Sequence, residues 1–457
     1  MYFCRCHFFP LLLLLHTKSV DLTTLRTRSQ SQLVIISYDG LRYDIISPEN
    51  TPYLWNLRTK GLYAHRLTGV FPTKTYPNHF TVATGLYPEY HGVLGSKLFD
   101  WKTQKELNYS EELFKFNKDV VPLWTLNEIN GGTSGCLMWP GSEFAYKNVT
   151  CSYTIRYQTG KSLYELANIA FEWLTNGKRP ANLVMMYINQ PDRAGHLHGF
   201  ASNKYMEQLR KVDDMASYLH RLLTSQSMNI DIVHISDHGM TSVTKARIID
   251  LEKAMPSKGN YRIYSSTPVL QIVPEEGKFN TVLKKLQEFA NSNEHFAVYD
   301  TKTFPGRWHC NNSRIGPITV VANLGYAFQD VVTNIVEICG GNLTSANISD
   351  IGIHGYDNVY KEMDGIFLAS GPSFGPAKIA GRVKIIDLFD LFCHILEIEN
   401  IPKSNGSIEG ITSVLFERNQ LESIATLATI LFMVAIIVLM KMVFMIFERR
   451  KPYMVWK

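Results

Sequence analysis

The sequence predicts an α/β fold: a largely parallel central sheet with helices on both faces, a small inserted α+β subdomain and one C-terminal transmembrane helix. Three observations predict it. Short apolar runs from Leu33 to Tyr38, Leu183 to Ile188 and Ile230 to Ile235 read as strands, and an acidic residue follows each: Asp39, Asp192 and Asp237. Strands apolar on both faces need cover on both sides. Between them lie helical spacings, Leu163, Leu166, Ala167, Ala170 and Leu174, then Leu209, Val212, Ala216, Leu219 and Leu223, each a stripe that packs on a sheet. Strands alternating with helices pair in parallel, and ligands then bind beyond the carboxyl ends of the strands.

In chain order, Arg5 precedes Phe8-Phe9-Pro10 and the run Leu11 to Leu15. This apolar core is too short to span a bilayer and reads as a signal peptide over residues 1–20. The main domain is expected over 31–402. Val70 to His79 reads as a loop, because Pro72 and Pro77 punctuate it and favour extended geometry before them. Residues 255–345 change character. Val269 to Val273 and Ile318 to Val321 are strand-like, and Phe279, Val282, Leu283, Leu286 and Phe289 recur at helical spacing. This is the expected insertion.

Residues 403–422 are expected as a stalk and 424–447 as the membrane span, with Lys441 snorkelling. Arg449-Arg450-Lys451 then place the tail, 448–457, in the cytosol. The chain is thus expected at the cell membrane as a single-pass type I protein, with its main domain extracellular.

Of the 457 residues, 45% are hydrophobic and 19% charged, which fits a globular protein with a substantial core. The net charge of +5 lies at the termini, +2 in the first twenty residues and +4 in the last seventeen. The span between is close to neutral, so no nucleic-acid polymer is expected as partner. Asn108, Asn148, Asn311, Asn342, Asn347 and Asn405 fit the N-glycosylation pattern. Beyond the leader five cysteines remain, whose spacing does not settle pairing and gives no zinc motif. Any metal must rely on histidine and carboxylate.

Those residues cluster in pattern. Asp192 and His196 are four apart, so one helical turn puts them on one face. His198 is the rival ligand. Asp237 and His238 end a strand before Gly239, and His354 precedes Gly355. Thr75 supplies a hydroxyl between Lys74 and Tyr76. A free threonine is a poor nucleophile, and metal coordination activates it.

Taken together, Asp39-Gly40, Thr73 to His79, Thr84 to Pro88, His91-Gly92, Met138 to Gly141, Pro191-Asp192 with Gly195-His196, Ser236 to Met240 and His354 to Asn358 appear in order. They resemble the ectonucleotide pyrophosphatase/phosphodiesterase family of the alkaline phosphatase superfamily, over roughly residues 31–400. The resemblance implies an alkaline-phosphatase-like catalytic domain and two zinc ions. It implies one ion held by Asp39, Thr75, Asp237 and His238, and the other by Asp192, His196 and His354. Thr75 would form a nucleotidyl-threonine intermediate, and the substrates would be extracellular nucleotides and dinucleotides. Tyr76 matches an aromatic that stacks on the base, and Tyr157 falls where the opposing one would lie.

One position departs from the family pattern. Ser96 stands where the family has an asparagine that steadies a phosphate oxygen, and its hydroxyl reaches less far. Two other readings are weighed: a phosphodiesterase of lysophospholipid phosphocholine esters on the same fold, and a surface adhesion glycoprotein with weak activity.

Overall fold

The computed structural model describes residues 31–226, 228–338, 350–374, 378–412 and 431–443 without 433 and 437. The central sheet has eight strands: β1 (Gln32–Tyr38), β2 (Leu62–Thr68), β3 (Ser134–Leu137), β4 (Tyr153–Ile155), β5 (Leu183–Ile188), β6 (Ile230–Ile235), β7 (Phe367–Ser370) and β8 (Lys378–Lys384). Their order is β8-β2-β7-β6-β1-β5-β3-β4. All pairs are parallel except those of β7, which runs antiparallel to β2 and β6. β1, β5 and β6 match the three apolar runs. They are buried along nearly their whole length because helices cover both faces.

The helices that matter are α1 (Pro52–Lys60), α2 (Thr75–Thr84), α3 (Leu123–Ile129), α4 (Leu163–Leu174), α5 (Asp192–His198), α6 (Asn203–Ser225) and α7 (Leu388–Ile395). They pack as two sets. α1, α4 and α5 lie against α6, whereas α3 and α7 lie against α2. α4 and α6 carry the two stripes read from the sequence, and their apolar residues are buried. Ser162 closes a capping box with Glu165, which starts α4 at the first residue of its stripe.

The insertion is a four-stranded antiparallel sheet, Tyr261–Ser266, Val269–Pro274, Ile318–Ala322 and Phe296–Asp300 in spatial order, with the helix Phe279–Asn293. It has its own core around Leu270, Ile272, Leu286 and Val320. The antiparallel strand Asp350–Ile353, paired with Thr241–Thr244, brings the chain back to the main sheet.

Two expectations need correction. Val70 to His79 is not all loop, since Thr75 opens α2. Pro77 sits in the first helical turn, where its missing N–H costs nothing. The transmembrane helix does not stand either. Among the described residues no helix is long and apolar enough to cross a membrane. A span needs about 20 consecutive apolar residues in one helix, and part of the expected 424–447 lies outside the described residues.

Residues 1–30, 413–430 and 444–457, with Asn342 and Asn347, lie outside the described residues. The expected signal peptide, the later part of the expected stalk and the expected tail fall there. The earlier part of the stalk packs on the domain: Asn405 N–H donates to the Gly85 carbonyl at 2.7 Å, and Ser404 Oγ donates to Asp390 at 2.7 Å.

Candidate active site

The site forms where the strands end. Asp39 follows β1, Asp192 opens α5 after β5, and Asp237 and His238 follow β6. Gly40, at φ +68°, lets the chain turn away with Asp192 pressed against it. A Cβ at Gly40 would lie 2.8 Å from that of Asp192. Thr75 opens α2, where the loop after β2 ends. Asn78 shapes that loop, its Oδ1 accepting the Val70 N–H at 2.8 Å while its Nδ2 donates to the Lys74 carbonyl at 2.9 Å. The first-turn amides of a helix have no partner within it, so Thr75 also offers an N–H where it offers its hydroxyl.

Asp39, Thr75, Asp237 and His238 come together. Thr75 Oγ1 lies 3.5 Å from Asp39 Oδ1 and 3.3 Å from His238 Nε2. His238 Nε2 lies 3.3 Å from Asp39 Oδ1 and 3.0 Å from Asp237 Oδ2. Asp192, His196 and His354 also meet. Asp192 Oδ2 is 3.2 Å from His196 Nε2, and its Oδ1 is 3.6 Å from His354 Nε2. The two sets adjoin, with His238 and His354 stacked 3.6 Å apart. By distance, ligand atoms of Asp192, His196 and His354 form one group that could hold a metal ion. Those of Asp39, Asp192 and His238 form a second, so Asp192 borders both. His198 belongs to neither.

The hydrogen bonds suit cation ligands. In all three histidines Nδ1 faces a backbone carbonyl: Gly352 for His196, Gly239 for His238 and Thr73 for His354. That fixes the proton on Nδ1 and turns the Nε2 lone pair inward. Asp192 Oδ1 and Asp237 Oδ2 are buried without a hydrogen-bond partner. Burial, then the neighbouring Asp237 and Asp192 carboxylates, push Asp39 well above the usual carboxylate range. Three converging buried carboxylates are costly alone, and divalent cations among them would offset that cost.

Sequence reasoning missed the supports. The Tyr187 hydroxyl donates to Asp39 Oδ2 at 2.5 Å. His79 faces the Thr75 carbonyl through Nδ1 at 2.8 Å, with Asp237 Oδ2 3.4 Å from the same nitrogen. Tyr187 is one hydroxyl in an apolar strand and carries no signal. His79 stands four after Thr75, a spacing that would have exposed it had the helix been foreseen.

A cavity of about 690 Å³ opens over these groups, lined also by Tyr76, Ser96 and Tyr157. Tyr76 backs onto Tyr109, 5.1 Å away between centroids. The Tyr157 hydroxyl accepts from Asn189 Nδ2 at 2.8 Å. Ser96 is exposed at the cavity edge.

Residues 33–357 match the family model described as type I phosphodiesterase / nucleotide pyrophosphatase. The chain belongs to this family. It is a nucleotide pyrophosphatase/phosphodiesterase, a hydrolase acting on phosphodiester bonds, of the alkaline phosphatase superfamily. Human ectonucleotide pyrophosphatase/phosphodiesterase family member 5 is 32% identical over 84% of this chain and 78% of its own length. Human bis(5'-adenosyl)-triphosphatase ENPP4 is 30% identical over 84% of this chain and 82% of its own. Among solved structures, murine ENPP5, as an inactive threonine-to-alanine variant in complex with AMP, superposes with a TM-score of 0.76. It is 31% identical and covers 85% of this chain and 100% of its own.

Of the sequence expectations, the α/β sheet and the family stand.

Proposed function

We propose that this chain cleaves dinucleotides and nucleoside polyphosphates to nucleoside monophosphates, through a threonine-linked intermediate on Thr75. The observation that carries the reading is the Thr75 hydroxyl within 3.5 Å of Asp39 and His238, beside carboxylate oxygens that lack partners. Relatives support it. One is named for splitting bis(5'-adenosyl) triphosphate, and a threonine-to-alanine variant of another is called inactive and binds AMP.

Two zinc ions fit the donor set: Asp39, Thr75, Asp237 and His238 for one, Asp192, His196 and His354 for the other. When bound, such ions supply Lewis acidity, stabilising the alkoxide and the charge on phosphate oxygens. The chain does the rest. Asp39 and His238 orient Thr75 Oγ1, which attacks phosphorus and forms a phosphoester as the bond to the bridging oxygen breaks. The leaving group departs with that electron pair. Water then attacks the same phosphorus, freeing the nucleoside monophosphate and restoring Thr75. The Thr75 amide and the Ser96 hydroxyl are donors for a phosphate oxygen. Tyr76 and Tyr157 flank the base, which favours a nucleotide over a choline headgroup.

The catalytic domain is proposed to work outside the cell. Cys136 and Cys151 form a disulfide, and Asn108, Asn148, Asn311 and Asn405 are exposed.

The test is Thr75→Ala. The variant should keep its bound metal and its melting temperature yet lose turnover of a diadenosine triphosphate. Turnover at the wild-type rate would overturn Thr75 as nucleophile. Faster cleavage of a phosphocholine ester by the wild type would overturn the substrate class.

A further inference from the structure

One wall of the cavity carries two guanidinium groups that the chemistry above leaves idle. Arg193 is half-buried and Arg156 exposed, and both line the cavity. Neither side chain has an ion-pair or hydrogen-bond partner among the described residues. Of the acids on this cavity, Glu143 accepts from the Tyr109 hydroxyl at 2.8 Å, and Asp39 and Asp192 belong to the candidate metal groups.

The wall is continuous in bonding. Arg156 precedes Tyr157. The Tyr157 hydroxyl accepts from the Asn189 amide at 2.8 Å. The Arg193 N–H donates to the Asn189 carbonyl at 3.2 Å, one turn further along. Arg193 directly follows Asp192, whose carboxylate reaches the metal-binding groups. The wall therefore runs from an aromatic ring to the reacting end of the site. A base resting on Tyr157 with its 5′-phosphate beside Asp192 puts the ribose between them, along Asn189 and Arg193.

We propose that Arg193, assisted by Arg156, forms a subsite for a phosphomonoester on that ribose, at the 2′ or the 3′ oxygen. The inference rests on the nucleotide reading above. A planar guanidinium presents paired N–H donors that match a phosphate, and a cation in a partly dehydrated cavity is strong where no ion pair engages it. The ribose phosphate takes no part in bond making. It holds the nucleotide while the pyrophosphate linkage is cut. The enzyme thereby selects nucleotides that carry a ribose phosphate over those that do not.

The experiment uses the whole chain loaded with zinc and two matched pairs: NAD with NADP for the 2′ position, and dephospho-coenzyme A with coenzyme A for the 3′ position. In at least one pair the phosphorylated member should show a kcat/KM about tenfold higher, the size of one charge-assisted contact. Arg193→Ala and Arg156→Ala should each move that ratio toward one, and Arg193→Lys should keep part of it. Arg156 is exposed, so its variant reports even if changes at Arg193 disturb folding. Ratios near one in both pairs, with NAD and dephospho-coenzyme A still cleaved, would overturn the subsite. So would a preference that survives both alanine variants. Failure to cleave NAD and dephospho-coenzyme A would instead overturn the nucleotide reading.

Discussion

Tyr187 holds Asp39 from behind through a 2.5 Å hydrogen bond, in a site where Asp39 must stay charged beside two other carboxylates. Removing that donor leaves one carboxylate oxygen buried and unpaired, which costs about 1–3 kcal/mol. Tyr187→Phe should therefore lower kcat/KM by roughly tenfold, weaken metal retention against a chelator and lower the melting temperature by a few degrees at most. An unchanged chelation profile would show that Tyr187 only packs. Ser96 lines the same cavity. Ser96→Ala should slow turnover with little effect on stability, because the residue is exposed. Equal turnover would remove Ser96 from the phosphate. The candidate ligands were legible in the sequence because Asp39, Asp192 and Asp237 stand just beyond strand ends, Asp39 directly before a glycine. Tyr187 and Arg193 were not. A hydroxyl inside Leu183–Ile188 looks like core, and an arginine next to Asp192 looks like surface until the cavity is seen.

The strands were legible because doubly covered strands must be apolar throughout, as β1, β5 and β6 are. Helix α2 was not, because Pro72 and Pro77 mimic a loop, and only tertiary contacts such as Asn78 on Val70 show where the turn ends. The disulfide was equally hidden, since spacing leaves the partner of Cys136 open. It joins β3 to the chain just before β4, at a sequence separation of 15. That loop supplies Met138, Pro140 and Glu143 to the cavity and leads into Arg156 and Tyr157. Closing a loop of this size stabilises by about 3 kcal/mol through the unfolded state. Replacing Cys136 and Cys151 together with serine should lower stability by roughly that amount. It should raise KM more than it lowers kcat, because the tethered segment leads into Tyr157, where the proposed reading puts the base, and supplies none of the candidate metal ligands. A fall in kcat alone would place the disulfide's effect on the metal groups instead.

At the scale of the molecule, one sheet collects side chains from four distant parts of the chain, and the same burial that concentrates them makes the fold sensitive to acid. His91 and His234 lie outside the metal groups and are fully buried. Burial, aided by Arg314 for His91 and His220 for His234, pushes each down to about 3. Both Nδ1 atoms are engaged, that of His91 accepting the Val93 N–H at 3.1 Å and that of His234 facing the Tyr38 hydroxyl at 2.8 Å. The unfolded chain binds these protons near pH 6.5 and the folded chain does not. Their stabilising effect is thus complete above pH 6.5 and is lost as pH falls from there toward 3, by up to about 1.4 kcal/mol per pH unit for each. His234→Asn keeps an acceptor where Nδ1 stood but cannot take the proton. Urea unfolding of this variant should lose roughly 1–2 kcal/mol less than wild type between pH 6.5 and 5. The histidines of the candidate metal groups are the same in both proteins and cancel from the comparison. Parallel losses would mean that His234 is already protonated in the native fold.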